Sequence, residues 1–111
     1  MRVGVIADTH LPSLIRSMDE LSSDTGEFLT TVELILHAGD VTAPSVLDWC
    51  EQFAPVLCST GNNDPIPDPR MAEVQTLEIE GWSIGMTHSL EGQFRPIKDL
   101  QKIFPSPVDI M

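Results

Sequence analysis

Residues 3–10 read VGVIADTH, and this stretch decides the fold. Small and β-branched apolar residues come first, and Asp8, Thr9 and His10 follow directly. A short β-rich run that ends in polar residues is typical of a strand. Apolar residues fall on both of its faces, as in the buried strands of parallel sheets. The sequence therefore predicts a buried strand over residues 2–7 that carries Asp8 and His10 at its carboxyl end.

Three further apolar runs end in polar clusters of the same kind. They are LIL at 34–36 followed by HAGD, VLCS at 56–59 followed by TGNND, and IGM at 84–86 followed by TH. In open α/β sheets, sites form where the chain leaves the carboxyl ends of the strands. Four strands that deliver Asp, Asn and His side chains to one rim of a sheet predict a metal site at that rim.

The other segments of the N-terminal half predict helices and a loop. The apolar residues of 14–21 have helical spacing, and SSDTG at 22–26 then predicts a loop. A strand is predicted over 33–37. A second helix is predicted from Thr42, a suitable N-cap, through Pro44 in the first turn, to about residue 53.

The C-terminal half predicts a loop, a hairpin and a last helix. Three prolines within 64–70 predict an extended loop. Residues 73–79 and 82–88 predict a β-hairpin around a Glu80-Gly81 turn. A helix is predicted over 96–103, and the last residues, from Val108, resemble the opening of another strand. The predicted fold class is α/β, with helices packed against a mixed, largely parallel sheet and the hairpin on one side.

The composition is that of a small acidic domain. The 111 residues fit one domain, and 17 acidic against six basic residues give a net charge of −11. Without a basic stripe, electrostatic binding of nucleic acid is not expected, and an acidic surface repels anionic membranes. No apolar run reaches the ~20 residues that span a bilayer, and no signal peptide precedes the first strand, so a cytoplasmic location is predicted. A homo-oligomer is compatible with this composition. Cys50 and Cys58 are predicted to be buried free thiols.

The residue types at the strand ends suit metal ligation. Asp8 and His10 would point the same way if strand geometry persists, because residues two apart share a face. The two oxygens of Asp40 could bridge two cations, and Asn62 offers a carbonyl oxygen. Taken alone, each motif also fits an ordinary structural role: a capping aspartate, a turn, or a structural histidine such as His88. The conjunction of all four motifs favours the metal site.

The order aspartate-x-histidine, glycine-aspartate, glycine-asparagine-x-aspartate, histidine resembles the calcineurin-like metallophosphoesterases. The resemblance is strongest to the small YfcE-type phosphodiesterase branch, and it extends along the whole chain. It implies a metallo-dependent phosphatase-like α/β sandwich that hydrolyses phosphodiesters or phosphomonoesters through a hydroxide bridging two metal ions. Asp8 and His10 would bind the first ion, Asp40 would bridge both, and Asn62 and His88 would bind the second. This mixed N and O ligand set suits Mn²⁺ best, with Ni²⁺, Zn²⁺ or Fe as alternatives.

Several positions depart from the family pattern. Asn63 stands where the larger superfamily often has a histidine near the leaving group, and it is predicted to act in catalysis from the substrate side. His37 is predicted to be structural. The Gly-His-x-His motif is absent, and the chain has three histidines in all. We therefore expect a domain that is incomplete at its C-terminus, with weak Mn²⁺ binding and little hydrolysis.

Two other functional classes remain open. One is a non-catalytic protein-interaction scaffold on the same fold, like the retromer subunit that resembles this branch. An exposed apolar patch would favour it. The other is an unrelated acidic α/β regulatory domain, which explains the strands but not the order of the ligand residues.

Overall fold

The computed structural model describes residues 1–10, 23–64, 67–88 and 96–111. The strands are β1 (Val3–Ile6), β2 (Leu34–His37), β3 (Val56–Ser59), β4 (Met71–Ala72), β5 (Val74–Ile79) and β6 (Trp82–Thr87). The helices are α1 (Ser23–Leu29), α2 (Pro44–Glu51) and α3 (Ile97–Leu100), which continues as a 3₁₀ turn over Gln101–Ile103. None of the helices in these ranges is long and apolar enough to cross a membrane.

The strands form two sheets. The first has the order β1-β2-β3-β4, and all of its pairings are parallel. In this sheet Ile6 lies beside His37, and His37 lies beside Cys58, so three strands end at the same level. The second sheet is the antiparallel hairpin β5-β6. The sequence predicted this hairpin on one side of the main sheet. In the structure it forms a separate two-stranded sheet.

One face of the parallel sheet is covered by helices and contains the core. The buried side chains of this core are Leu29, Val32, Ile35, Val41, Val46, Leu47, Cys50, Ala54, Val56 and Cys58. Both cysteines are free and buried, as predicted. Burial raises the pKa of the Cys50 thiol to about 11 and that of Cys58 to about 12, so both remain protonated and unreactive at neutral pH.

The opposite face of the parallel sheet is only partly covered. Val5 in β1 is 64% exposed, which contradicts the prediction that the first strand is buried on both faces. An apolar cleft of about 430 Å³ lies between this face, β6 and the C-terminal segment. Its lining includes Val5, Leu36, Met86, Phe104, Ile110 and Met111. The apolar run thus identified the strand, but it did not show that one of the strand's faces is open.

Helix α1 corrects the loop predicted over 22–26. Asp24, Thr25 and Gly26 belong to this helix, although their types favour a turn. Packing overrides that preference, because Leu29 at the end of the helix is fully buried against the sheet. A Cβ on Gly4 of β1 would lie 3.3 Å from the Leu29 side chain, so the glycine lets the helix approach closely. The helix predicted within 14–21 lies outside the described residues.

The start of α2 also differs from the prediction. Pro44 occupies the first turn, as expected, but the N-cap is Ala43 and no side chain caps it. Thr42 instead adopts a left-handed backbone with φ of 63°. Its N–H donates to the Asp64 carboxylate at 2.7 Å, and this bond places Thr42 outside the helix.

The C-terminal half follows the prediction with two additions. Glu80 and Gly81 both have positive φ, as a tight two-residue hairpin turn requires. The first addition is the short strand β4, which pairs with β3 where a continuous loop and hairpin were expected. The second is a parallel bridge between Ile84 and Ile110, with the Gly85 N–H donating to the Ile110 carbonyl at 2.8 Å. This bridge falls within the residues predicted to open a strand, but it is an isolated pair and not a full strand.

Candidate metal centre

The loops that follow β1 and β2 are joined by their backbones. The Asp8 N–H donates to the Gly39 carbonyl and the His10 N–H donates to the Asp40 carbonyl, each at 3.0 Å. Parallel strands of equal length bring these loops to one rim, and the two bonds fix their relative height. The rim therefore presents Asp8, His10 and Asp40 together, as the strand pattern predicted.

Left-handed backbone, rather than strand geometry, aims these side chains. The φ angles are 57° at Asp8, 46° at His10 and 58° at Asp40. Non-glycine residues with positive φ are uncommon and cluster at functional sites. Asp8 and His10 were expected to share a face because strand geometry would continue through them. Their positive φ angles show that it does not continue. The two side chains are close all the same, with His10 Nε2 3.6 Å from Asp8 Oδ1.

Asp40 lies at the centre of the cluster. Its Oδ2 is 3.2 Å from His10 Nε2 and 3.2 Å from His88 Nε2. Ligand atoms of Asp8, Asp40 and His88 all lie within 4.8 Å of one another. Groups at this spacing, with carboxylate oxygens and imidazole nitrogens mixed, fit a borderline divalent cation.

The environment of Asp40 keeps its carboxyl ionised. Burial acts to raise its pKa, since only 4% of the residue is exposed. Two hydrogen bonds from Asn63 and the nearby His88 and His10 outweigh burial, so the pKa is held below its ordinary value. A carboxylate that is charged at neutral pH is ready to bind a cation without first losing a proton.

His88 is held in the orientation that a metal ligand needs. Its Nδ1 lies 2.6 Å from the Ala38 carbonyl, so Nδ1 carries the proton and donates it. Nε2, the ring nitrogen left for a metal ion, faces Asp40 at 3.2 Å from Oδ2. A backbone carbonyl behind a histidine is a common way to fix the tautomer of a metal ligand. A Cβ on Gly39 would lie 2.6 Å from Nδ1, so this approach needs glycine there.

The two asparagines of the third motif are placed differently. Asn63 donates to Asp40 twice, from its backbone N–H at 3.0 Å and from Nδ2 at 2.9 Å. Asn63 was predicted on the substrate side, and the structure adds this contact with Asp40. Asn62 is exposed and lines a neighbouring cleft of about 320 Å³ with Thr60, Gly61, Glu73 and Thr87.

His37 lies behind the rim and not in the cluster. It is fully buried. Its Nδ1 accepts the Gly39 N–H at 3.1 Å, and its Nε2 is 3.2 Å from the Thr9 hydroxyl. Burial lowers its pKa to about 4, an effect that the nearby Asp64 and Asp8 only partly oppose. His37 is thus a neutral residue that supports the loop of Gly39, which agrees with its predicted structural role.

Asp64 is the residue of this region to which the sequence assigned no role. Its carboxylate accepts N–H groups from Asp40 and Gly61 at 2.8 Å and from Thr42 at 2.7 Å. Its position in the glycine-asparagine-x-aspartate motif could have indicated a role. An aspartate at that position is equally typical of an ordinary turn, so the motif alone did not indicate one. Only the three-dimensional structure shows that this aspartate reaches back to the loop of Asp40.

The sequence was compared with known proteins. Residues 1–110 match the model of the calcineurin-like phosphoesterase superfamily domain. The chain is 38% identical over 103 residues to a probable metallophosphoesterase of Methanothermobacter thermautotrophicus, covering 93% of this chain and 56% of that protein. It is 39% identical over 88 residues to a probable metallophosphoesterase of Methanocaldococcus jannaschii, covering 79% and 43%. The chain thus spans about half the length of the curated relatives it matches.

Solved structures show the same fold. Vacuolar Protein Sorting 29 from Cryptosporidium parvum superposes with a TM-score of 0.65 at 23% identity, over 77% of this chain and 48% of that one. The Zn²⁺ complex of the Entamoeba histolytica protein of that name gives a TM-score of 0.63 at 24% identity, over 78% and 47%. At such identities the likeness concerns the fold alone. Taken with the family match over nearly every residue, these findings confirm the resemblance drawn from the motifs: the chain belongs to the calcineurin-like phosphoesterase superfamily.

Proposed function

We propose that this chain is the metal-binding part of a divalent-metal-dependent phosphoesterase that acts on phosphodiesters or phosphomonoesters. The observation that carries the proposal is the convergence of Asp8, His10 and His88 on Asp40 at one rim. Family membership supports the same activity. The finer assignment to the small YfcE-type phosphodiesterase branch rests on the sequence motifs.

In this proposal Asp8 and His10 hold one divalent ion, Asn62 and His88 hold a second, and Asp40 contacts both. The position of Asp40 supports the bridging role, because one of its oxygens lies 3.2 Å from a nitrogen of each histidine. Asn62 is exposed and directly follows Gly61, whose backbone packs against Asp40, and this neighbourhood supports its assignment to the second ion. We propose Mn²⁺ as the metal, since oxygen donors outnumber nitrogen donors in this set.

Bound divalent ions would supply an activated water and positive charge for the phosphate oxygens. The chain's own residues orient and hold these groups. Ala38 and Gly39 fix the ring of His88, and Asn63 holds the Asp40 carboxylate. Asn63 is a weaker proton donor than a histidine would be, so we expect a preference for substrates with good leaving groups. A small phosphoester is the proposed substrate, and the cytoplasmic location stays a prediction.

Hydrolysis of bis-p-nitrophenyl phosphate with added Mn²⁺ tests this proposal. We expect slow turnover, because the Gly-His-x-His segment that gives each ion a histidine in the family does not occur in residues 1–111. Asp40→Asn should lower kcat/KM by about 100-fold or more, since loss of an outer partner alone costs about 10–100-fold. Asn63→Ala should cost less, and His37→Ala least. Turnover by Asp40→Asn near the parent level would exclude the two-metal role.

A second candidate function is a non-catalytic interaction scaffold on the same fold. The apolar cleft favours it, because Val5, Ile110 and Met111 expose apolar surface there. The solved structures named Vacuolar Protein Sorting 29 share this fold, so a scaffold of this kind is compatible with the architecture of the chain. Metal binding without turnover of any phosphoester tested would favour the scaffold over the enzyme. The sequence is compatible with a homo-oligomer, and that expectation names no particular face.

A further inference from the structure

Asp64 connects the two loops that carry the proposed metal ligands. Its Oδ2 accepts the N–H of Asp40, from the loop after β2, and the N–H of Gly61, from the loop after β3, both at 2.8 Å. Its Oδ1 accepts the N–H of Thr42 at 2.7 Å. Both oxygens are thereby engaged with the backbone, so this carboxylate holds chain segments together.

The bonded segments need this support because their backbone is strained. Asp40 has φ of 58° and Thr42 has φ of 63°, in the left-handed region that non-glycine residues disfavour. Such a conformation persists only where the surroundings fix it. The charge of Asp64 makes its bonds to these N–H groups stronger than neutral ones. Asp64 thus compensates for strain at the residue whose side chain is central to the site.

Two neighbours hold different parts of Asp40. Asn63 donates to the side-chain oxygens, whereas Asp64 accepts from the backbone. A bound cation would compete with Asn63 for the carboxylate oxygens, but it would leave the backbone bond of Asp64 unaffected. The position of Asp40 relative to Gly61, and hence to Asn62, therefore depends on Asp64.

We propose that Asp64 is a positioning residue of the metal centre, which sets the spacing between the Asp40 loop and the Asn62 loop. This inference rests on the proposed function. The alternative is a purely structural aspartate that stabilises the chain without affecting the ions. Both roles predict a loss of stability on substitution, so metal affinity and local amide exchange must separate them.

The test compares Asp64→Asn with Asp68→Asn. Asparagine keeps the shape of Asp64 but replaces one accepting oxygen with an NH₂ group and removes the charge. Asp68 is a matched control, because it also lies in the segment between β3 and β4. Its carboxylate likewise accepts hydrogen bonds, from the backbone N–H and the Nε of Arg70 at 2.9 and 2.8 Å. Among the described residues, the Asp68 carboxylate accepts its hydrogen bonds from Arg70, which is not part of the rim loops. Mn²⁺ affinity is measured by titration calorimetry, and amide exchange is followed by NMR in the metal-free chain.

We expect Asp64→Asn to weaken Mn²⁺ binding about 10–100-fold, the range typical of a lost outer partner of a metal ligand. The amides of Asp40, Thr42 and Gly61 should exchange faster in that variant. Asp68→Asn should leave Mn²⁺ affinity within about twofold of the parent, because a substitution far from the ligands moves binding little. Asp64→Ser, which keeps one small acceptor oxygen, replaces Asp64→Asn if the latter does not fold.

The outcomes are distinguishable. If the parent binds Mn²⁺ and Asp64→Asn binds it equally well, the positioning role is overturned and the proposed function stands. Equal losses of affinity in Asp64→Asn and Asp68→Asn would also overturn it, since they would indicate general destabilisation. If the parent binds no Mn²⁺, the proposed function fails and this inference fails with it.

Discussion

The rim of the parallel sheet and the core beneath its helices are held by different interactions. At the rim, strained backbone at Asp8, His10 and Asp40 is fixed by N–H hydrogen bonds of 2.8–3.0 Å to carbonyls and a carboxylate. In the core, Ile35, Leu47 and other apolar side chains are fully buried and pack on the sheet. The comparison teaches that core side chains mainly set global stability and rim side chains mainly set metal affinity, so a core substitution can lower stability with little effect on metal binding.

Removal of core packing should give the largest effect on stability. Leu47 is fully buried in α2, and Leu47→Ala should lower the free energy of unfolding by about 2–5 kcal/mol. Chemical denaturation measures this. Mn²⁺ affinity of the folded fraction should stay near the parent value, because Leu47 belongs to the apolar core cluster and is not one of the rim residues that carry the proposed ligands. Val5→Ala, at a position that is 64% exposed, is the control and should change stability by less than about 0.5 kcal/mol.

The buried His37 should make stability depend on pH. The pKa of His37 is about 4 in the folded chain and 6.5 in the unfolded chain, so between these pH values the folded state binds fewer protons at His37 than the unfolded state does. Its contribution is fully present above pH 6.5 and is lost progressively towards pH 4. The loss should reach on the order of 2 kcal/mol at pH 5. Denaturation at several pH values measures it, and His37→Gln should flatten the slope between pH 7 and 5. An unchanged slope in that variant would contradict the buried neutral histidine.

The smallest effect is expected from crowding His88 at the rim. Gly39→Ala places a methyl group against the His88 ring, at a residue with φ of 104°. We expect about tenfold weaker Mn²⁺ binding, since a shifted ring loses its bond to the Ala38 carbonyl. Gly26→Ala is the control, because no atom of the described part of the chain lies within 4 Å of its added Cβ and helix α1 should gain about 0.5–1 kcal/mol. Equal Mn²⁺ affinity in both variants would show that the ring position is not needed.

The sequence predicted the strands and the rim because both depend on local pattern. Apolar runs identified β1, β2 and β3, and their parallel register places Asp8 and Asp40 together. It did not predict the left-handed backbone at Asp40, because that conformation results from bonds to Asp64, a residue 24 positions away. Helix α1 was missed for a similar reason, since packing of Leu29 over Gly4 outweighs the turn preference of its residues.

The central claim, that the rim residues hold divalent cations, is tested most directly by a crystal structure of the chain with Mn²⁺ and anomalous diffraction data. The claim predicts two anomalous peaks about 3.5–4 Å apart, with Asp40 in contact with both. Asp8 and His10 should contact one peak, and Asn62 and His88 the other. Peaks only at sites away from Asp8, Asp40 and His88, or no peak at the rim with millimolar Mn²⁺ present, would contradict the claim.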